Sequence, residues 1–278
     1  MAPSILYRFL GHWQKLSRRL SVPYFQTRDV QIGRGVRFGR HVEFNCRKVR
    51  IGDGCVFMDN IVVNAEEFSI GDFGTVYSEA FFPGPGCLSI GHNSWIGKGA
   101  IIDAQGGTIL GNNVGVGAYS QLWSHVRFGD IALGARFQGA QPLRIDDEVW
   151  ISPGCIVSPV HVRRKSMLLA GAVLTTDTEE NTLYAGVPAR SMEGKMAPPF
   201  REMSLEESKL LLEERLYRFC RQFGVPRQQI QVLPGDALTG DRPAIVINAA
   251  TRSYDKRGTA LERRLLRFLL PDIKLIPA

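Results

Sequence analysis

From Val30 to about Arg190 the chain keeps returning to one phrase, an aliphatic residue followed by a small or acidic one. Ile32-Gly33, Ile51-Gly52, Ile70-Gly71, Ile90-Gly91 and Leu110-Gly111 stand 19, 19, 20 and 20 residues apart. Between them the phrase recurs at about six-residue spacing, as in Phe38-Gly39, Ile96-Gly97, Ile102-Asp103 and Val116-Gly117. Neither the 3.6-residue period of a helix nor the alternation of an ordinary strand gives this spacing. A short repeat nested in a longer one predicts a coiled parallel sheet, six residues to a flat face and three faces to a turn. The aliphatic residue should point inward and stack on its equivalents in neighbouring coils. The glycine after it is expected to let the backbone take the corner.

Other patterns flank the ladder. Leu6, Phe9, Leu10, Trp13, Leu16 and Leu20 recur at helical spacing, with Arg8, Lys15, Arg18 and Arg19 on other faces, which predicts a basic amphipathic helix ending before Pro23. Such a helix would cover the open end of the coil, pack on a neighbouring subunit, or lie peripherally on an anionic membrane. It lacks the apolar core and cleavage site of a secretory signal. After Ser191 the ladder stops. Ser204-Leu-Glu-Glu207 is a capping box opening a helix to Phe223, with Gly224 as its stop. Strands at 229–233 and 244–249, a turn at Pro234–Asp236, a helix at 259–270 and a last strand at 273–276 predict a small α+β unit. Thr251–Tyr254 reads as a solvated turn. The expected domains are a cap at 1–29, a β-helix at 30–192 and an α+β domain at 193–278.

The ladder has one long break. Leu110 to Leu122 is regular, then come Trp123-Ser124-His125, and from Val126 to Leu143 the spacing drifts as in a loop before Ile145, Ile151 and Val157 restore it. A histidine where a rigid wall gives way to a loop is held in place and has room for a substrate beside it. Phe81-Phe82-Pro-Gly-Pro-Gly86 reads as a lesser surface excursion. His12, His41, His92 and His161 read as structural or exposed.

Composition narrows the chemistry. A net charge of +7 and pI near 9.3 suit either an anionic partner or a generally basic surface. Basic residues are not interleaved with aromatics in one patch, which argues against nucleic acid. Five cysteines without Cys-x-x-Cys spacing point to no disulfide framework or zinc site and fit a cytoplasmic location. The histidines are scattered singly, so no metal is expected. No run of apolar residues is long enough to span a membrane.

In Leu110–His125 and in the phrases VWIS, LLAGAVLTTD and NTLYAGVPAR of Ile145–Arg190, the chain resembles the hexapeptide-repeat acyltransferases. The resemblance covers about residues 30–195. It is closest to sugar O-acetyltransferases of the maltose and galactoside type and to enzymes that modify surface polysaccharides. It implies a mainly β fold, a left-handed parallel β-helix, forming a homotrimer with sites between subunits. It implies acetyl-CoA as donor, a sugar or glycoconjugate as acceptor, and His125 as general base. Asp103 and Asp130 are candidates to orient the imidazole, and backbone N–H groups or Ser124 to meet the oxyanion. Matching donor-binding positions are Trp150, Pro153, Ala170, Gly171, Thr175, Thr176 and Arg190, with Thr176 standing where many members have lysine. The basic run Arg163-Arg164-Lys165 either neutralises donor phosphates or is a solvated corner. Two other readings stay open, a non-catalytic β-helix scaffold and an acyltransferase using a longer acyl-CoA or an acyl carrier protein.

Overall fold

The computed structural model describes residues 23–233 and 243–278. The helix expected before Pro23 and the turn at Pro234–Asp236 lie outside the described residues. Two compact units divide after Pro199.

The first unit is the coil that the ladder predicts. Its short strands pair in parallel with their equivalents one coil away, forming three faces. On the first face the register runs Ile70, Ile90, Leu110, Ile145, Val162. On the second it runs Phe57, Val76, Ile96, Val116, Ile151, Leu168. On the third it runs Ile102, Leu122, Val157, Leu174. All of these residues are buried. Parallel pairing at about 4.8 Å puts like on like, so each inward column is a continuous apolar stack. In the early coils the columns are aromatic: Phe44 lies flat on Phe25 at 4.9 Å and edge-on to Phe57 at 5.5 Å. Two ten-residue strands, Val42–Ile51 and Ile61–Ile70, run unbroken from the third face into the first.

The corners correct one expectation. Gly33, Gly52, Gly71, Gly91 and Gly111 do not have positive φ; the left-handed residue comes two positions later, as Gly35, Gly54, Phe73, Asn93 and Asn113. These glycines answer to space instead. A Cβ on Gly91 would lie 2.5 Å from the carbonyl carbon of Gly111, and one on Gly111 would lie 2.7 Å from the amide of Asp147. Beside them runs a polar ladder, in which a side chain accepts the backbone N–H of the coil before. Asp53 accepts from Arg34 (2.5 Å), Asp72 from Asp53 (2.7 Å), His92 from Asp72 (2.8 Å), Asn112 from His92 (2.9 Å) and Asp147 from Asn112 (2.7 Å). His92 is therefore structural, its Nδ1 occupied as an acceptor. His161, on the shortened coil near the end, sits with Nε2 2.9 Å from Asp146.

In the second unit α1 (Leu205–Phe223) starts at the Ser204–Glu207 capping box and stops at Gly224, φ 64°. The helix α2 (Ala260–Leu269) is capped by Thr259. Leu212, Leu216 and Phe219 of α1 and Leu265, Leu266 and Leu269 of α2 are buried, and Phe219 meets Phe268 at 5.5 Å. A four-stranded sheet runs in order Ile230–Leu233, Ile245–Asn248, Ser253–Tyr254, Ile276–Pro277. The solvated turn expected at Thr251–Tyr254 ends instead in a strand, Ser253–Tyr254, paired with Ile247–Asn248 and with Tyr254 buried.

Two outcomes follow. Gly91→Ala should lower the unfolding free energy by about 1–3 kcal/mol in a denaturant titration, the cost of forcing a methyl against backbone; unchanged stability would contradict the close approach. Cys46 and Cys55 are free thiols whose burial pushes their pKa up to about 11 and about 12. At pH 8 a thiol reagent should consume exposed Cys87 first, and Cys87→Ser should remove the fast phase while Cys46 and Cys55 react only on unfolding.

Candidate active site

Where the ladder breaks, the chain does not become an open loop. His125–Arg127 pairs antiparallel with Gln138–Ala140, in register His125 with Ala140 and Arg127 with Gln138. The tip is a 3₁₀ turn, Ile131–Leu133, capped by the Asp130 carboxylate on the Ala132 amide at 2.8 Å and closed by Gly134 at φ 86°. Gln138 ties the tip down, its Nε2 donating to the carbonyls of Phe128 (2.5 Å) and Gly129 (3.0 Å). This hairpin grows out of the third face directly after Leu122. His125 stands at its root.

One coil earlier, Ile102 is the register partner of Leu122, so Asp103 falls beneath Trp123-Ser124. Asp103 is 1% exposed. Its Oδ2 accepts the Ser124 N–H at 3.0 Å and the Ser124 hydroxyl at 2.5 Å, and lies 2.7 Å from His125 Nδ1. Ser124 Oγ in turn accepts the Gly106 N–H at 2.9 Å, and Thr108 Oγ1 donates to the Asp103 carbonyl at 2.6 Å. A buried carboxylate surrounded by donors acts as the acceptor. The proton of the imidazole then belongs on Nδ1, which leaves Nε2 with a free lone pair. Trp123 meets the imidazole edge-on at 5.9 Å, and its Nε1 is held by Gln121 Oε1 at 3.2 Å. The imidazole is half-buried, its side chain a quarter exposed.

The two orienting candidates separate cleanly. Asp103 reaches the ring; Asp130 is spent on the hairpin tip. Ser124, a candidate oxyanion donor, is fully buried with its hydroxyl committed to Asp103, so it faces no substrate. The Phe81–Gly86 excursion is packed rather than free: the Pro83 carbonyl accepts from Ala104 N at 2.6 Å, directly under the corner that follows Asp103.

The residues matched to donor binding lie on later coils, apart from His125. Trp150 is on the second face, its ring over Gly115 and 5.6 Å from that of Trp95. Arg190 follows on the last strand of that face and is exposed. Pro153, Ala170 and Gly171 are exposed on the corner between the second and third faces, where the Gly171 amide donates to the Pro153 carbonyl at 3.1 Å. Thr175 and Thr176 are exposed just beyond Leu174, two coils above the Trp123 position. Among the described residues no group of three or more His, Cys, Asp or Glu side chains is arranged to hold a metal.

No family model matches the chain. A Schizosaccharomyces pombe protein that bears the name putative acetyltransferase is 40% identical over 83 residues, 29% of this chain and 40% of that protein. One of the same description from Saccharomyces cerevisiae is 32% identical over 103 residues, 36% of this chain and 48% of that protein. The chain thus spans less than half the length of the curated relatives it matches. Among solved structures, the Bacillus cereus N-acyltransferase AntD superposes with a TM-score of 0.45 and 14% identity, covering 76% of this chain and 96% of that one. The polySia-specific acetyltransferase NeuO gives 0.43 and 19%, covering 70% and 91%. The acyltransferase resemblance read in the sequence is met again in the two curated relatives, while the fold rests on the register described above.

Asparagine at position 103 would lose the anionic acceptor and present an amide to the ring. In nitrogen-15 NMR, wild-type His125 should show a protonated Nδ1 and an unprotonated Nε2, and Asp103→Asn should redistribute the tautomers. An Nε2–H tautomer in the wild type would overturn the assignment.

Proposed function

We propose that this chain is an acetyltransferase that moves an acetyl group from acetyl-CoA to a hydroxyl, or amine, of a sugar or glycoconjugate. The observation that carries the reading is the His125–Asp103 pair, with Nδ1 2.7 Å from the carboxylate at the root of the hairpin. His125 Nε2 takes the acceptor proton as that oxygen attacks the thioester carbonyl. The new C–O bond leaves a tetrahedral oxyanion, and Asp103 stabilises the imidazolium across the Nδ1 bond. Collapse breaks the C–S bond, and the imidazolium returns its proton to the departing thiolate. No acyl-enzyme is needed, so no nucleophilic side chain is called on.

The donor lies along the last coils, where Pro153, Ala170, Gly171, Thr175 and Thr176 are exposed and present thin, small side chains to a pantetheine arm. Trp150 and Arg190 stand on another face, and a second copy of the chain, in the homotrimer that the resemblance implies, brings the separate corners together. The partial matches to named acetyltransferases support the same reaction class.

Purified protein should release free thiol from acetyl-CoA in the presence of a suitable sugar, with acetylated product of the matching mass. His125→Ala should reduce turnover by about 10²-fold or more, and Asp103→Asn should reduce it while sparing coenzyme affinity. Unchanged turnover in His125→Ala removes His125 from the mechanism; absence of coenzyme A binding by calorimetry favours a scaffold instead.

A further inference from the structure

Beside the His125–Asp103 pair the hairpin and the corner after Asp103 enclose a cleft of about 280 Å³, lined by Gln105, Arg127, Gln138, Gly139 and Ala140. Ala140 is the register partner of His125, and Gln105 is two residues beyond Asp103 with its amide 3.4 Å from the Asp103 carboxylate. The cleft is therefore lined by the cross-strand and chain neighbours of His125 and Asp103. Alternation along His125–Arg127 puts His125 and Arg127 on one face of the ribbon and Val126 on the other.

The lining contains one full charge. Arg127 is exposed and makes no ion pair among the described residues, and no carboxylate lines the cleft. Asp103 is committed to Ser124 and His125, and Asp130 to the hairpin tip. A lone guanidinium is a planar fork whose paired N–H donors match the two oxygens of a carboxylate. Two strand positions put the backbones of His125 and Arg127 about 7 Å apart, a separation on the scale of one sugar.

Resting on the acetyl-transfer reading, we infer that the acceptor is a carboxylate-bearing sugar and that Arg127 is the residue that selects it. Gln105 and Gln138 give the cleft neutral polar walls. Val126 and the apolar tip residues take no part.

The test measures binding separately from catalysis. Glucuronate and galacturonate differ from glucose and galactose only in the C6 carboxylate, and each is titrated into the full chain by ligand-observed NMR without donor. The uronates should bind about tenfold or more tightly than their hexoses, the size of one charge-assisted hydrogen bond. Arg127→Gln and Arg127→Glu should erase that preference, Arg127→Lys should restore part of it, and His125→Ala should leave it intact. Equal binding of uronate and hexose by the wild type, no uronate binding, or a preference that survives Arg127→Gln each overturns the inference. An Arg127-dependent preference in a protein that releases no thiol with any acceptor supports this subsite and sinks the acetyl-transfer reading alone.

Discussion

Parallel pairing between coils is the constraint on which everything else rests. Each strand finds its hydrogen-bond partners one coil below and one coil above, so every coil must present the same three faces at the same height. That demand explains the like-on-like columns from Ile70 to Val162 and from Phe57 to Leu168. It also explains why glycine follows the aliphatic residue: neighbouring corners run close enough that a methyl would strike backbone. The polar residue that comes next belongs to the same economy of space, since it accepts an amide that the turn leaves without a strand partner.

A coil so constrained accepts extra residues only as an excursion that supplies its own hydrogen bonds. Leu110 and Ile145 stand 35 residues apart, where the coil before (Ile90 to Leu110) takes 20 and the coil after (Ile145 to Val162) takes 17, and the excess forms a separate antiparallel ribbon. The ladder then resumes in register, with Leu110 paired to Ile145. A flat outer wall thereby acquires a protruding edge, and the junction between wall and ribbon is where His125 and the Arg127 cleft lie.

The junction depends on one buried carboxylate. Asp103 ties together the Ser124 backbone, the Ser124 hydroxyl and the His125 ring, so a single side chain fixes both the turn into the ribbon and the placement of the imidazole. Burying a charge in this way is tolerated because donors converge on it. Local folding and the candidate chemistry therefore share the same bonds.

The coil, its three-face period, the helix caps at Ser204 and Thr259 and the placement of His125 at the break were determined by the sequence alone, because each depends on spacing along the chain. The roles of Gly91, Ser124 and Asp130 were not. A glycine looks the same whether it serves dihedral freedom or clearance, and a serine beside a histidine looks the same whether it faces substrate or core. Tyr254 was hidden for a similar reason, since a two-residue strand has no period. Only the stacking of one coil on the next, through bonds between residues 18 to 22 positions apart, decided that Asp103 meets His125 and that Ser124 is spent on Asp103, and only the ribbon's pairing set Arg127 in the neighbouring cleft, without an ion pair among the described residues.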